Sequence, residues 1–273
     1  MRRIARIVGS IAVFLALLYV GVCYIAYRRY RSALFPAPSE SMDVHHMKGA
    51  ELRELRADDG ELVNVLSFPT PKEGARTIVY LHGNSDTMGQ SGGMAMDLNA
   101  RGFGVLVVEY RGYGISKPGT PTEAGLYLDA KAALDALQAE GIGPDRVVLW
   151  GTSLGTGVAS EMARRGRCAA LILVSPFTSI MELGQHFIPY LPGSIIVRDR
   201  FDTLSKAPQI VVPTLVVHGL VDEVVPYAMG ERVTKAISGA RLITVPTGHH
   251  NDLFQRDGTR LMELLTAFAR SAS

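Results

Sequence analysis

Short apolar runs alternate with longer helix-compatible stretches along most of the chain. A short apolar run bounded by turn-forming residues is typical of a strand buried in a parallel sheet, whereas the longer stretches suit helices. The alternation therefore predicts an α/β fold with a mostly parallel, doubly wound sheet and helices on both faces. The predicted strands are 77–82, 104–110, 146–150, 169–174, 214–219 and 241–245, and the predicted helices are 88–101, 123–139 and 158–165.

The stretch from Met47 to Pro69 has a different pattern. It contains two strand candidates on either side of Asp58-Asp59-Gly60. Asp-Gly between two such runs is a hairpin turn signal. We therefore expect an antiparallel hairpin before the first parallel strand.

The N-terminal segment carries an uncharged run from Ile7 to Tyr27. As a helix this run would reach roughly 30 Å, the thickness of a bilayer core. Arginines flank it on both sides, and the tyrosines near its C-terminal end suit a membrane interface. We therefore predict a single-pass transmembrane helix as a membrane anchor over residues 1–31. A Pro-containing linker over 32–43 and the α/β domain over 44–273 would follow it.

Two other interpretations of the N-terminal run stay open, a cleaved signal peptide and a buried helix. No small-residue cleavage site ends the run, and the bulky Val22 before Cys23 makes a poor lipoprotein site. The arginines balance across the run, so they do not decide its orientation. The short basic start is typical of an anchor with a cytoplasmic N-terminus, which would place the domain on the non-cytoplasmic side of the membrane.

Composition narrows the class of protein. The chain has 273 residues, of which 47% are hydrophobic, and this suffices for one domain with a full core. The net charge is only +2, and no basic stripe with interleaved aromatics suggests nucleic acid. Cys23 and Cys168 cannot make a disulfide framework, so we expect no disulfide. No C-x-x-C, H-E-x-x-H or acidic cluster suggests a metal.

The segment Gly151-Thr152-Ser153-Leu154-Gly155 carries the strongest chemical signal. It reads G-x-S-x-G and lies between a predicted buried strand and a helix-compatible stretch. This is the context of a nucleophile elbow, a tight turn that exposes a serine hydroxyl to substrate. The alternative is an ordinary strand-to-helix turn with a chance serine. We predict that Ser153 is a catalytic nucleophile.

A serine nucleophile needs a base, and the base needs a carboxylate. Asp222 and Glu223 follow the predicted strand 214–219, and the pair His249-His250 follows the strand 241–245. The order serine, acid, histidine is the one that this kind of elbow requires. Carboxyl ends of parallel strands also share one edge of the sheet, where α/β proteins hold their sites.

The acyl-transfer chemistry of such a serine also needs two backbone N–H donors for an oxyanion. One is expected from Leu154, the residue after the nucleophile. The other is expected from Asn84, in the loop His82-Gly83-Asn84 that follows the first parallel strand. His82 precedes the serine, which is the wrong order for a base, so we assign it a structural role.

Several of these segments together resemble the α/β-hydrolase family, in particular the membrane-anchored α/β-hydrolase-domain (ABHD-type) lipid and acyl-protein hydrolases and their bacterial relatives. The resemblance covers roughly residues 75–255. Its segments are His82-Gly83-Asn84, Tyr110 to Ser116, Gly151 to Gly155, Ser175-Pro176-Phe177, Asp199 to Asp202, Gly219 to Pro226 and His250-Asn251-Asp252.

The resemblance implies roles for particular residues. The family's base is the histidine directly before Asn-Asp, which indicates His250, with His249 as the alternative because the histidine is doubled. Asp222 matches the position of the family's acid, with Glu223 as its rival. In this fold a cap over the site occupies the space between the two strands that flank residues 177–211, and this interval is rich in apolar residues. Those residues would either pack internally or contact substrate.

The expected function is therefore a membrane-anchored serine hydrolase that cleaves carboxylic ester or thioester bonds of acyl-chain, lipid-like substrates without a cofactor. A peptidase-like enzyme, a carbon–carbon-bond hydrolase or a small-ester hydrolase would use the same triad. A non-enzymatic, membrane-tethered interaction protein is the third class, although such a protein would not need every triad member. The sequence indicates no particular oligomeric state.

Overall fold

The structure is a computed structural model that describes residues 1–271. Eight strands form one sheet: β1 (Glu51–Arg56), β2 (Leu62–Phe68), β3 (Thr77–Leu81), β4 (Gly104–Val108), β5 (Val147–Thr152), β6 (Ala170–Val174), β7 (Thr214–Gly219) and β8 (Arg241–Val245). Their order is β1-β2-β4-β3-β5-β6-β7-β8. From β4 to β8 all neighbours are parallel, so the predicted α/β fold with a mostly parallel sheet is confirmed.

Besides three short 3-10 helices, residues 1–271 contain nine α-helices. They are α1 (Arg2–Leu34), α2 (Gly92–Ala100), α3 (Glu123–Ala139), α4 (Leu154–Arg164), α5 (Ile180–Phe187), α6 (Gly193–Ile196), α7 (Thr203–Lys206), α8 (Tyr227–Ala236) and α9 (Leu253–Ser271). Alternate strand residues feed two cores: Val79 packs in the core that includes residues of α3, α4 and α8, and Ile78 packs in the core that includes residues of α2 and α9. Both faces of the sheet are therefore covered by helices, as the uninterrupted apolar strands require.

The first two strands form the expected antiparallel hairpin. The turn closes by hydrogen bonds between the main chains of Ala57 and Glu61 and from Gly60 to Ala57, with Gly60 at φ +88°. Arg111 fixes this turn to the rest of the domain, because its guanidinium contacts both Asp59 and the buried Asp129 of α3. The hairpin is thus part of the domain and extends its sheet beyond β4.

The N-terminal helix ends later than the predicted anchor over residues 1–31. It continues to Leu34, and its Tyr30 and the following Phe35 are buried against the domain. The next residues also pack: Pro38 accepts a hydrogen bond from the Gly114 amide, and Glu40 accepts from the Gly89 amide. The segment 32–43, predicted as a linker, therefore lies along the domain, because its apolar and acidic side chains find partners there.

The interval between β6 and β7 contains α5, α6 and α7, and we call residues 177–211 the cap. Asp199 ties the cap to its neighbours. It accepts hydrogen bonds from Tyr30 and Arg31 of α1 and from the Glu123 amide that begins α3. Phe201, also in the cap, is fully buried.

Candidate active site

The turn between β5 and α4 places Ser153 at the end of the sheet. Ser153 has φ +50° and ψ −114°, a strained conformation for a non-glycine residue. The flanking glycines permit the turn, because a Cβ on Gly155 would lie against the Leu81 carbonyl and one on Gly151 against the Gly155 carbonyl. α4 begins directly at Leu154, four residues earlier than the predicted helix, since the elbow leads straight into it.

Three of the predicted residues form a chain of hydrogen bonds. The hydroxyl of Ser153 lies 2.9 Å from His250 Nε2, and His250 Nδ1 lies 2.8 Å from Asp222 Oδ2. The serine follows β5, the aspartate lies in the loop after β7, and the histidine lies in the loop after β8. A serine that donates to a histidine held by a carboxylate is the arrangement that activates a nucleophile.

The Asp222 carboxylate is fixed from several sides. Its Oδ1 accepts hydrogen bonds from the Val224 and Val225 amides, at 2.9 and 2.7 Å. Burial by itself would raise the pKa of Asp222, but the hydrogen bonds from His218, His250 and the Val225 amide outweigh it and hold that pKa well below its ordinary value. Asp222 is therefore an anion positioned to orient the His250 ring.

His218 is a contributor that sequence reasoning missed. It is fully buried at the end of β7, its Nε2 donates to the Val225 carbonyl at 2.9 Å, and the same nitrogen lies 3.4 Å from Asp222 Oδ2. The only signal in the sequence is a histidine in an apolar strand four residues before the acid. Its contacts with the 222–225 turn hold the carboxylate in place.

The other two candidates, His249 and Glu223, form a separate pair. His249 Nδ1 lies 2.8 Å from Glu223 Oε2, and both side chains are exposed. The His249 amide donates to Asp252 Oδ1 at 2.7 Å, which sets the turn that directs the two adjacent rings apart. The doubled histidine thus yields two histidine–carboxylate pairs, one of which contacts Ser153.

The two residues whose amides are predicted as oxyanion donors line the same cavity as the serine. Gly83, Asn84, Ser153, Leu154 and His250 all line it. Among residues 1–271, neither the Asn84 nor the Leu154 amide has a hydrogen-bond acceptor. Leu154 also begins α4, so the positive end of the helix dipole points at this cavity.

The loop that carries Asn84 rests on a buried ion pair. His82 Nε2 lies 3.0 Å from Glu109 Oε1, and its Nδ1 donates to the Gly83 carbonyl at 2.8 Å. Burial opposes a charge on His82, yet Glu109 and the Gly83 carbonyl outweigh burial and raise the pKa of His82. Tyr113 donates to Asn84 Oδ1 at 2.6 Å. Thus Glu109 and Tyr113 position the loop. Both follow the end of β4, which lies next to β3, and this is the sequence signal that could have indicated their role.

The cavity itself has a volume of about 460 Å³. Apolar side chains of the cap and of the turn after β7 form much of its wall, together with the end of α1. These residues are Leu34, Phe177, Ile180, Leu183, Val224 and Val225. Within residues 1–271 no cluster of three or more histidine, cysteine or acidic side chains could hold a metal ion.

Comparison with known proteins identifies the family. A family model described as serine aminopeptidase, S33 (Hydrolase_4) matches residues 72–197. The uncharacterised protein YfhR of Escherichia coli K12 is 31% identical over 269 residues, which cover 94% of this chain and 93% of YfhR. Alpha/beta hydrolase domain-containing protein 17C of Xenopus tropicalis is 31% identical over 214 residues, covering 76% of this chain and 66% of that protein. The chain belongs to the α/β-hydrolase family.

The fold of this hydrolase agrees with solved members. An esterase from Pyrococcus furiosus superposes with a TM-score of 0.70 at 17% identity, over 85% of this chain and 98% of that one. The predicted resemblance to the ABHD-type family and the prediction of an enzyme of the hydrolase class are therefore confirmed. α1 is long and apolar enough to cross a membrane by length and composition.

Proposed function

We propose that this hydrolase cleaves carboxylic ester or thioester bonds through an acyl-enzyme on Ser153. The observation that carries the proposal is the hydrogen-bonded chain from Ser153 through His250 to Asp222. It lies at a cavity also lined by Asn84 and Leu154, whose amides have no hydrogen-bond acceptor within residues 1–271. This combination supplies a nucleophile, a base and an oxyanion site within one cavity.

The reaction begins when Ser153 Oγ attacks the acyl carbonyl carbon and its proton passes to His250 Nε2. Asp222 holds the tautomer and stabilises the imidazolium. The carbonyl oxygen becomes an oxyanion that accepts hydrogen bonds from the Asn84 and Leu154 amides. Collapse of the intermediate breaks the bond to the leaving alcohol or thiol, which takes the proton from His250. Water, deprotonated by His250, then attacks the acyl-enzyme and releases the acid and Ser153.

An acyl-chain substrate is supported by the walls of the cavity. Phe177, Ile180 and Leu183 of the cap present apolar surface directly beside Ser153. α1 would anchor the enzyme in the membrane, where lipid-like substrates are concentrated. The basic start of α1 favours the non-cytoplasmic side for the domain, and resistance of the full-length protein to extraction by alkaline carbonate tests the anchor itself.

The test uses Ser153→Ala. The variant should lose fluorophosphonate labelling and essentially all hydrolysis of p-nitrophenyl esters, with an unchanged circular dichroism spectrum as the control for folding. Labelling that persists in folded Ser153→Ala protein would contradict the mechanism. A series of acyl chain lengths then measures substrate class, since each methylene bound in an apolar pocket raises efficiency about fourfold.

A second candidate, an aminopeptidase, is favoured by the family model's description and by Asp86, a carboxylate that lines the cavity. A substrate α-amino group would need such an anion. Both Asp86 oxygens, however, already accept hydrogen bonds, from the Thr87 amide and the Ser91 hydroxyl. Cleavage of aminoacyl p-nitroanilides that fails in Asp86→Asn while ester hydrolysis persists would favour this candidate.

A further inference from the structure

A second cavity, of about 250 Å³, lies between α1 and the cap. Ala26, Ala33 and Leu34 of α1 line one side, and Met181, Ile188 and Ile196 of the cap line the other. We call it the α1–cap cavity. Its walls are almost wholly apolar, so any group that binds there would have to be apolar as well.

The helix wall of this cavity is fixed by polar contacts that surround it. Arg31 Nε lies 2.8 Å from Asp199 Oδ2, and Tyr30 donates to the same carboxylate. The Arg198 guanidinium lies over the rings of Tyr27 and Tyr30, at 4.9 and 5.1 Å from their centroids. The last turns of α1 are therefore docked on the cap, and the cavity has two defined walls.

The α1–cap cavity adjoins the cavity that contains Ser153. Leu34 and Ile180 line both. The Leu34 carbonyl accepts a hydrogen bond from the Asn84 side chain, so the end of α1 touches the loop that carries an oxyanion donor. Leu34 and Ile180 therefore stand at the border of the two cavities, and an acyl chain bound at Ser153 would have to pass between these side chains to reach the second cavity.

The surroundings indicate where such a chain comes from. The Tyr19 hydroxyl donates to the Tyr190 carbonyl at 2.7 Å, so the cap reaches along α1 to a point about 12 Å before Tyr27, inside the uncharged run. Phe187, Tyr190 and Ile195 of this part of the cap are exposed. An exposed apolar surface beside a membrane-crossing helix would contact lipid.

From these contacts we infer that α1 is one wall of the acyl-binding site: the substrate's fatty acyl chain occupies the α1–cap cavity and enters it from the bilayer. The inference rests on the proposed acyl-enzyme at Ser153, and it adds that the membrane helix selects chain length. It predicts that changes in α1, far from the triad in sequence, alter reactivity toward long chains.

The experiment fills the cavity from each wall. In Ala26→Phe the new ring enters from α1. In Gly184→Phe it enters from the cap, where a Cβ meets no atom within 4 Å. Two matched controls introduce the same substitutions outside the cavity. Ala16→Phe is the alanine control on α1, and Gly93→Phe is the glycine control in α2, where a Cβ also has open space.

The full-length protein in phospholipid vesicles is labelled with ethyl and dodecyl fluorophosphonates. Ser153 Oγ attacks phosphorus, the P–F bond breaks, fluoride leaves, and the serine proton passes to His250. The ratio of dodecyl to ethyl labelling rates should fall about tenfold or more in Ala26→Phe and Gly184→Phe, because two excluded methylenes at about fourfold each suffice. Ala16→Phe and Gly93→Phe should keep the wild-type ratio. An unchanged ratio in both cavity variants would overturn the inference and leave the proposed function intact.

A binding measurement separates the inference from the proposed function. Trp150 is the chain's only tryptophan and lies in β5 beside the elbow. Energy transfer from Trp150 to a dansyl-labelled dodecanoate is measured in Ser153→Ala protein, where no reaction occurs. Transfer that falls on adding Ala26→Phe supports the α1 wall even if wild-type Ser153 reacts with neither probe. Transfer that stays the same contradicts it.

Discussion

Two histidine–carboxylate pairs lie side by side at the edge of the sheet, with the same 2.8 Å distance between ring nitrogen and carboxylate oxygen. The side chains of His250 and Asp222 are 8% and 0% exposed. Those of His249 and Glu223 are 46% and 58% exposed. Contact distance alone does not tell the two pairs apart, whereas their surroundings do.

The difference lies in what each carboxylate and each ring touches besides its partner. Asp222 accepts from two backbone amides and lies near His218, and the far nitrogen of His250 meets the Ser153 hydroxyl. Glu223 faces water, which competes for its charge and weakens the pair. Burial and preorganisation, more than the presence of a histidine beside an acid, therefore distinguish the pair that contacts Ser153, and we propose that this is the pair that acts in catalysis.

The largest expected effect comes from breaking each pair at its histidine. His250→Ala should lower kcat about 10⁵- to 10⁶-fold, close to Ser153→Ala, because members of a triad act as a unit. His249→Ala is the matched control and should retain most activity. Steady-state hydrolysis of a p-nitrophenyl ester measures both. If His249→Ala were the inactive variant, the base would be one residue earlier and the assignment of the pairs would be reversed.

The next effect separates the two carboxylates. Asp222→Asn should lower kcat about 10²- to 10⁴-fold, because the amide no longer holds the tautomer or stabilises the imidazolium. Glu223→Gln should change kcat little. Both variants keep side-chain volume, so thermal unfolding serves as the folding control. A silent Asp222→Asn would assign the orienting role to another carboxylate.

A third pair, His82 and Glu109, extends the comparison to complete burial, since both side chains are 0% exposed and no serine is attached. Glu109→Gln should lower the free energy of unfolding by about 1–3 kcal/mol at pH 6. The pKa of His82 is raised above its ordinary 6.5 in the folded protein. Its contribution is therefore fully present below about pH 6.5 and is lost as the pH rises through the raised pKa.

The difference in unfolding free energy between wild type and Glu109→Gln should accordingly shrink between pH 6 and pH 9, measured by urea denaturation. In Glu109→Gln, the new side-chain amide can donate a hydrogen bond to a neutral His82 ring. Its oxygen can still accept from the Met88 backbone amide, as Glu109 does at 3.1 Å. A difference that is constant with pH would mean that His82 keeps one charge state between pH 6 and pH 9, which would contradict this prediction.

The sequence predicted more of the sheet edge that carries Ser153 than of the way the N-terminal helix packs on the domain. The elbow can be predicted from Gly151, Ser153 and Gly155, because the local geometry of this turn requires these residue types in this order. Strand ends likewise place Asp222 and His250 at the same edge, since parallel strands align them. Pairs that join distant segments have no such local signal. Asp199 and Arg31 are 168 residues apart, and only the docked helix brings them together.

Which of the two histidines is buried also depends on contacts between segments that are distant in sequence. Nothing in Gly248-His249-His250 tells which ring turns inward; the Asp252 side chain and the buried turn at 222–225 decide it. The family resemblance indicated His250, and in the structure His250 is the ring that meets the Ser153 hydroxyl. For the apolar residues of the cap, the sequence offered no such indication. Phe187 and Leu191 look equivalent in sequence, yet of the two only Leu191 lines the α1–cap cavity.

The smallest expected effect is the response to salt of the exposed pair His249–Glu223, here called the outer pair, with His250–Asp222 as the inner pair. His249 and Glu223 lie in solvent, so their attraction should be screened when the Debye length falls to about 3 Å at 1 M salt. Thermal unfolding of wild type, His249→Ala, Glu223→Gln and the double variant gives a double-mutant cycle for this pair. Any coupling free energy between the two side chains should appear only at low salt and be absent at 1 M. The matching cycle on His250 and Asp222 should keep its coupling at 1 M, because ions cannot enter between two buried side chains held by backbone amides. If the coupling of the outer pair survived 1 M salt, His249 and Glu223 would be held as firmly as the inner pair, and exposure would no longer explain why only one of the two is placed to act on Ser153.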